Sequence, residues 1–324
     1  MLATMLNCSP EILATSEEPF ILYFRNTYGE VTQWEDKKIE AFVNDFFLLH
    51  DKNLKVYFSD KETTIANLMS KDRNVGYIDM CKNLYLNFYP DQDKSRVKTI
   101  IDKQIKFSYH PHLIEELVAD AKFAVLVRNP LDSLSSWRKR KMGKSLNATY
   151  LADMWNDLYS ILESFSKNNK RTIVIRYEDL VQKPEQNLQI LCAHFGVEYT
   201  SDMLNFNNEF KSFTKDAGER DPNFSARLHD FHSGLHKPIS NENIGIQDEF
   251  FSKEEQDVIL TICEDTMRNL GYEVPEFTSR TEPNSDRLRK QSKKNRRKLL
   301  TIYLKTPFWA KKMARKVRGK KVDA

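Results

Sequence analysis

Two short apolar runs on either side of a long amphipathic stretch place the strongest constraint on the fold of this chain. Phe123–Val127 is almost wholly apolar and partly β-branched, and Thr172–Tyr177 is similar, which is typical of strands covered on both faces. Between them, apolar side chains from Leu151 to Phe165 recur at helical spacing. Two strands joined by a helical crossover are parallel and right-handed in nearly all proteins. The sequence therefore predicts an α/β fold with a doubly wound, mainly parallel sheet flanked by helices.

The end of the first run carries a candidate anion site. Arg128 follows the strand, Asn129-Pro130 breaks it, and the helix that begins there carries Ser133, Ser135 and Ser136. A guanidinium can bind phosphate oxygens through two N–H groups, and the free N–H groups at a helix start add partial positive charge. Ligands also bind at the carboxyl ends of strands in open α/β sheets. The alternative is an arginine that only pairs with a nearby carboxylate such as Asp132.

Composition indicates a globular protein in reducing surroundings. Hydrophobic residues make up 40% of the 324 residues, which is enough for a full core. The cysteines lie far apart in sequence, without a CxxC pair, at Cys8, Cys81, Cys192 and Cys263. This spacing favours reduced thiols over disulfides or a zinc ribbon. Because no signal peptide is visible and no apolar run approaches the roughly 18 residues of a membrane span, we expect a cytoplasmic protein.

Charge divides the chain into an acidic body and a basic tail. Of 50 bases and 46 acids in all, residues 285–324 hold 16 bases and two acids, which leaves 34 bases and 44 acids in residues 1–284. A polar stretch with two prolines lies between the two parts. The predicted organisation is one α/β domain over residues 1–274, a linker over 275–286 and a basic tail over 287–324.

Local patterns predict further elements along the body. Arg96–Lys103 has helical character, whereas Ile105–Tyr109 has the character of a short strand. Pro184 opens a helix that Gly196 ends. Ser252–Glu255 has the sequence of a capping box ahead of another amphipathic helix.

Several of these segments together resemble the sulfotransferases that use PAPS (3′-phosphoadenosine 5′-phosphosulfate) as sulfuryl donor. Members of that family have a strand ending in Arg-(Asn/Asp)-Pro-x-Asp with a serine eight residues after the arginine, and Arg128 and Ser136 occupy those places. Tyr177–Leu180 matches the family's Tyr-Glu-Asp-Leu element. Ile244–Tyr272 matches a late segment of the kind Ile-Gly…Leu-Ser-x-Glu-Glu…Leu-Gly-Tyr. The resemblance covers about residues 1–273, with the elements in the family's order.

The resemblance implies a P-loop-like fold and an enzyme that transfers a sulfuryl group from PAPS to a hydroxyl, with carbohydrate or another polar molecule as the expected acceptor. It implies that Arg128 and Ser136 bind the 3′-phosphate and that Tyr177 lies near the adenine. Without it, Ser136 would be an ordinary surface hydroxyl and Tyr177 a core aromatic. We predict no metal, although three histidines lie close together in a polar, loop-like region, at His229, His232 and His236.

One element of the family does not occur in the printed sequence. Relatives bind the 5′-phosphosulfate with an Arg/Lys-Ser-Gly-Thr-Thr loop, whose backbone N–H groups surround the transferred group. None of the nine glycines belongs to such a loop, and Met1–Leu6 matches the helix that follows it. We therefore expect a chain that begins just after the loop, through a late start or a truncated copy, with impaired catalysis. A catalytically impaired nucleotide-binding remnant is one alternative; a P-loop-type kinase, which would need a Walker loop and a Mg²⁺ aspartate, is a further one.

Three residues are candidates for accepting the acceptor's proton or for binding the acceptor and the transferring group. Glu18 lies in an acidic turn where the resemblance to protein-tyrosine sulfotransferases implies a base, and a carboxylate beside another carboxylate binds a proton more readily. The alternative is a solvated acidic turn. Two other positions match the family segment that precedes the arginine strand. His110 fits the longer of two family spacings for a histidine, and Lys106 matches a lysine that would bind substrate or the transferring sulfuryl group.

The basic tail has three open interpretations. Its apolar residues, which include Leu304, Phe308 and Trp309, lie among lysines and arginines. They pack on the body, or they lie against anionic lipid, or the tail binds a polyanion such as a sulfated glycan. The sequence has no recognisable nucleic-acid-binding module.

Overall fold

The computed structural model describes residues 1–15, 20–50, 57–139, 147–220, 233–276, 298–299 and 301–317. Within these ranges the strands are β1 Ile12–Thr15, β2 Thr99–Asp102, β3 Phe123–Val127 and β4 Thr172–Arg176. The α-helices are α1 Leu2–Leu6, α2 Phe20–Tyr28, α3 Asp36–His50, α4 Lys61–Met69, α5 Tyr77–Tyr85, α6 Pro111–Leu117, α7 Pro130–Lys139, α8 Ala148–Asn168, α9 Tyr177–Gln182, α10 Pro184–Phe195, α11 Phe206–Arg220, α12 Lys253–Asn269 and α13 Phe308–Val317. None of the helices in these ranges has the length and apolar composition needed to cross a bilayer.

The strands of the described ranges form two parallel pairs. β1 pairs with β2, with Thr15 opposite Asp102 at their carboxyl ends, and β3 pairs with β4, with Val127 opposite Arg176. Side chains from all four strands lie in one apolar cluster with α1 and α10. The α/β class and the parallel pairing are confirmed. The sheet itself is smaller than expected, because the described strands form two two-stranded sheets.

The β3–α8–β4 unit is held together by side chains of the long helix. Asn147 caps α8 by accepting a hydrogen bond from the Tyr150 N–H at 2.8 Å. Within the helix, the Trp155 indole N–H donates to the Arg128 carbonyl at 3.1 Å, and the Tyr159 hydroxyl donates to the Leu126 carbonyl at 3.3 Å. The helix therefore covers β3 and fixes the backbone where the strand ends.

Helix α12 begins at the predicted capping box, which is confirmed in full between Ser252 and Glu255. The Arg138 guanidinium, at the end of α7, donates to both carboxylate oxygens of Glu255, at 2.6 and 3.0 Å. These hydrogen bonds from Arg138 hold the pKa of Glu255 below its usual range. Arg138 also lies over the Phe251 ring, with its guanidinium carbon 3.9 Å from the centroid. The helix that follows β3 is therefore joined to α12 at its far end.

The segment before β3 differs from the sequence-based expectation. Thr99–Asp102, predicted within a helix, is strand β2. Residues Lys106–Tyr109, predicted as a strand, form a 3-10 turn, closed by a hydrogen bond from the His110 N–H to the Phe107 carbonyl at 2.8 Å. Residues 99–102 form a strand because they pair with β1, which is far away in sequence. The local sequence pattern does not encode such a pairing.

The helices α2, α3 and α5 enclose a separate core rich in aromatic side chains, which include Phe20, Phe24, Phe42, Phe46 and Tyr85. The C-terminal segment, residues 298–299 and 301–317, joins this core, because Leu304 and Phe308 are buried in it. The Phe308 ring lies 4.6 Å from the Phe24 ring, centroid to centroid. Part of the basic tail is therefore packed on the body, against α2.

Candidate functional site

The carboxyl ends of β3 and β4 bring two of the predicted site residues together. Val127 lies opposite Arg176 in the parallel register, so the next residue of each strand, Arg128 and Tyr177, begins the same edge. The Arg128 guanidinium carbon lies 4.7 Å from the centroid of the Tyr177 ring, a cation–π distance. Its Nη2 donates to the Asn243 carbonyl. The arginine is thus held against an aromatic face and a backbone carbonyl.

The carboxylate that could have neutralised Arg128 is engaged elsewhere. Asp132, only 4% exposed, accepts hydrogen bonds from the Gly245 N–H at 2.9 and 3.1 Å and from the Ile246 N–H at 3.0 Å. Gly245 has a φ of 75°, a conformation that residues with a Cβ rarely adopt. The interpretation in which Arg128 simply pairs with Asp132 is therefore wrong. The aspartate instead holds the loop 243–246, whose first residue contacts the arginine.

We call the site formed by Arg128, Tyr177 and the loop 243–246 the Arg128 corner. Within it, Arg128 retains hydrogen-bonding capacity. Its Nε is buried and has no acceptor among the residues that the structure describes. A buried donor of this kind favours an acceptor supplied by a ligand, because leaving it unsatisfied costs free energy. Burial raises the pKa of Tyr177, against the opposing effect of the adjacent Arg128 charge. The tyrosine therefore stays a neutral aromatic surface beside a cation.

Ser136 lies farther along α7, on the helix that starts at this corner. Asn129 caps that helix through its side-chain oxygen, which accepts from the Leu131 N–H at 2.9 Å. Ser136 follows Asp132 by four residues, so both lie on one face of α7, the face that meets the loop 243–246. Ser136 is half-buried, whereas Ser135 is fully buried. By this helical spacing, Ser136 lies on the same side of α7 as Asp132 and the loop that Asp132 holds.

Glu178 is a structural residue of the corner whose role the sequence did not reveal. One of its carboxylate oxygens accepts from the Asn129 N–H at 2.9 Å, and the other accepts from the Tyr272 hydroxyl at 2.8 Å. Burial and the neighbouring Glu178 carboxylate raise the pKa of Tyr272. Glu178 thus ties the Asn-Pro break to the end of α12. The only sequence signal for it was its place in the family's Tyr-Glu-Asp-Leu element.

A cleft of about 230 Å³ beside β4 is lined by other residues. Its charged groups are paired with one another. Lys167 pairs with Glu163, and Arg176 donates to the two oxygens of Asp179 at 2.7 and 3.1 Å. These pairs neutralise the cleft, so it offers less to an anion than the Arg128 corner does.

The structure describes the residues proposed to act on the acceptor only in part. Glu18 lies outside the described residues. Lys106 begins the 3-10 turn after β2, with its side chain outside the description, and His110 ends that turn where α6 starts. The turn lies beside α8, since Tyr109 is close enough to Tyr159 to affect its ionisation, and burial raises the pKa of Tyr159 to about 12. Arg128 acts on the same hydroxyl, so the turn and the arginine both lie near Tyr159.

The histidines of the loop-like region are only partly described. His229 and His232 lie outside the described residues, and the His236 ring lies 5.0 Å from that of Phe210, centroid to centroid. Within the described ranges, no group of three or more His, Cys, Asp or Glu side chains is arranged to hold a metal ion.

Comparison with known proteins points to one family. A profile described as the sulfotransferase family matches residues 1–201, more than half of the chain. The sulfotransferase domain from the Synechococcus PCC 7002 olefin synthase is similar in structure, with a TM-score of 0.52 and 20% identity over 85% of this chain and 90% of that one. The sulfotransferase domain from the curacin biosynthetic pathway gives the same TM-score and identity, over 85% of this chain and 93% of that one. No curated protein matches. At 20% identity the two structures support the fold alone. Because the family profile matches more than half of the residues, the chain belongs to the sulfotransferase family.

Proposed function

We propose that this protein uses PAPS as its sulfuryl donor and binds the 3′-phosphate at Arg128. The observation that carries the proposal is the environment of the guanidinium. Its neighbours are the Asn243 carbonyl and the Tyr177 ring, while Asp132 is satisfied by backbone N–H groups. Asp132 therefore binds the loop 243–246 through hydrogen bonds instead of the guanidinium, and a phosphate dianion is a suitable ligand for the arginine.

Two further residues complete the proposed nucleotide site. Ser136, on the face of α7 that meets the loop 243–246, adds a hydroxyl donor for the same phosphate. Tyr177 supplies the aromatic surface for the adenine, since bases stack readily on aromatic side chains. Neither role requires a metal, because the arginine provides the positive charge.

Alanine at Arg128 is expected to weaken the binding of 3′,5′-ADP, the desulfated product, by about 2 kcal/mol or more, or roughly thirtyfold, because it removes a bidentate charged contact. Calorimetry on the wild type and Arg128→Ala measures the difference. The same titration with 5′-AMP, which lacks the 3′-phosphate, is expected to give a much smaller difference.

Arg268→Ala is the matched control for charge. Arg268 pairs with Glu264 on the surface of α12, at 3.0 Å, so its loss removes one positive charge without touching the corner. Equal binding of 3′,5′-ADP by wild type and Arg128→Ala would exclude the assignment. An equal loss for 5′-AMP and 3′,5′-ADP would show that Arg128 does not read the 3′-phosphate.

For the transfer step we propose a hydroxyl acceptor on a carbohydrate or other polar molecule. PAPS supplies an activated sulfuryl group: the acceptor oxygen forms a bond to sulfur, the bond from sulfur to the 5′-phosphate oxygen breaks, and 3′,5′-ADP leaves. The acceptor proton passes to a base, Glu18 or His110. Lys106 would bind the negative charge of the transferring group.

Glu18→Gln and His110→Asn distinguish the two bases. We expect the variant that lacks the base to lose rate and to lose the fall in rate at low pH, since a protonated base cannot accept a proton. The measurement is the pH dependence of sulfuryl transfer from labelled PAPS to a panel of simple sugars. If both variants keep the wild-type pH dependence, neither residue is the base. Intact 3′,5′-ADP binding without transfer to any sugar would favour the non-catalytic nucleotide-binding alternative.

A further inference from the structure

The C-terminal segment has a face that is firmly packed on the body. Leu304 and Phe308, four residues apart, are buried against α2. The Asn26 side-chain amide donates to the Leu304 and Lys305 carbonyls at 3.2 and 2.6 Å. The Phe308 N–H donates to the Thr27 hydroxyl at 3.1 Å. These contacts fix the position of the segment along α2.

Its rotation about its own axis is fixed as well. Lys311 is only 4% exposed, and its Nζ lies over the rings of Tyr23 and Tyr303, 5.0 and 4.4 Å from their centroids. The Tyr303 ring in turn contacts the Tyr23 ring edge-on at 5.4 Å. Because this side of the segment is held by α2, the opposite side is presented outward.

The outward side carries large apolar side chains. Their exposed fractions exceed one half: Leu299 68%, Ile302 52%, Trp309 57% and Met313 61%. Leu299 and Ile302 are three residues apart before Pro307, and Trp309 and Met313 are four residues apart after it, which is the spacing of one helical face in each part. Large apolar side chains grouped in this way are unusual on a protein surface exposed only to water; the four are called here the apolar stripe.

The charged side chains of the segment itself are all positive. Residues 298–317 contain six lysines and arginines and no acid, and the Lys298 and Lys305 side chains are exposed. The neighbouring sequence, residues 285–297 and 318–324, is also strongly basic. Binding of a polyanion would require only this positive charge and would not use the apolar stripe. An apolar stripe with a tryptophan, bordered by lysines, is the composition of helices that lie in the interface of an anionic bilayer.

We propose that this C-terminal segment docks the protein on an anionic membrane surface. The stripe of Leu299, Ile302, Trp309 and Met313 enters the boundary between headgroups and acyl chains, while the lysines lie at the level of the lipid phosphates. The segment lies on the surface, and the body remains in the aqueous phase. This inference is independent of the proposed nucleotide site, because none of its residues belongs to the Arg128 corner.

Co-sedimentation of the full chain with lipid vesicles tests the inference. We expect the protein to bind vesicles of phosphatidylcholine with about 30% phosphatidylglycerol, and to bind at least about tenfold more weakly to pure phosphatidylcholine or in 0.5 M salt. In anionic vesicles with brominated acyl chains, we also expect quenching of tryptophan fluorescence that Trp309→Phe removes. No binding to the anionic vesicles would overturn the proposal.

Paired variants separate the apolar and charged contributions. Ile302→Ser with Trp309→Ser, and separately Lys298→Gln with Lys305→Gln, are each expected to weaken anionic-vesicle binding about tenfold or more. The matched controls are Ile190→Ser, an exposed apolar residue of α10, and Lys37→Gln with Lys38→Gln, exposed on α3; both should bind as the wild type does.

Two outcomes would contradict the docking. An equal loss in the control with Lys37→Gln and Lys38→Gln would show attraction to net charge alone. Heparin binding that displaces the vesicles and is unchanged by the two serine substitutions would assign the segment to a polyanion. Because the substituted side chains are exposed, unfolding curves of all variants should match the wild type, so that a loss of binding reports on the surface itself.

Discussion

Replacement of Asp132 by alanine is expected to lower the free energy of unfolding by about 3 kcal/mol or more. The carboxylate is buried and accepts hydrogen bonds from two backbone N–H groups, those of Gly245 and Ile246. It also lies in the first turn of α7, where a negative charge is favourable. Its removal leaves both N–H groups without their acceptor. The shift of the urea midpoint at constant m-value measures the loss.

Asp36→Ala provides the matched control for this variant. Asp36 also lies in the first turn of a helix, α3, but its side chain is 60% exposed and pairs with Arg73 at the surface. Its loss should cost less than about 1 kcal/mol. Equal effects of the two substitutions would mean that the loop 243–246 does not depend on Asp132.

The same variant should also affect the nucleotide site. The loop that Asp132 holds supplies the Asn243 carbonyl, which accepts from Arg128. Loosening the loop therefore removes one constraint on the guanidinium, and 3′,5′-ADP should bind more weakly to Asp132→Ala than to the wild type. The loss should be smaller than that of Arg128→Ala, since the charge that binds the phosphate remains. Such an order would support a positioning role for Asp132.

Features set by neighbouring residues were predictable from the sequence. The apolar run before Arg128, the break at Asn129-Pro130 and the capping box at Ser252 are each encoded within a few residues. The structure has all three where the pattern places them. The Arg128 and Tyr177 contact also follows from two strands ending at one edge.

Features that depend on distant partners were not predictable. The sequence left the pairing of Arg128 with Asp132 open as an alternative, because the loop that Asp132 binds lies 113 residues farther along the chain. Strand β2 was assigned to a helix because its pairing with β1 is not visible locally. In both cases a polar or β-branched residue has several possible partners nearby in sequence, and only the tertiary fold decides among them.

Alanine at Phe308 is expected to destabilise the protein by about 3–5 kcal/mol, the usual cost of removing a buried phenylalanine. The ring is 1% exposed and lies in the aromatic core, 4.6 Å from the Phe24 ring. The cavity left by the ring can shrink only a little. The side chains of Asn26 and Thr27 hold the C-terminal segment in place on α2 through hydrogen bonds to its backbone. Chemical denaturation followed by far-ultraviolet circular dichroism measures the effect.

The adjacent Trp309 is the control, because it has similar apolar bulk and the opposite exposure. Trp309→Ala should change the free energy of unfolding by less than about 0.5 kcal/mol, since its ring already lies in water at 57% exposure. Small, equal effects at both positions would show that the C-terminal helix is not packed on α2. Opposite results at neighbouring residues follow only if one face of the helix belongs to the core. Phe308 then holds the helix on the body and leaves Trp309 free to enter a membrane.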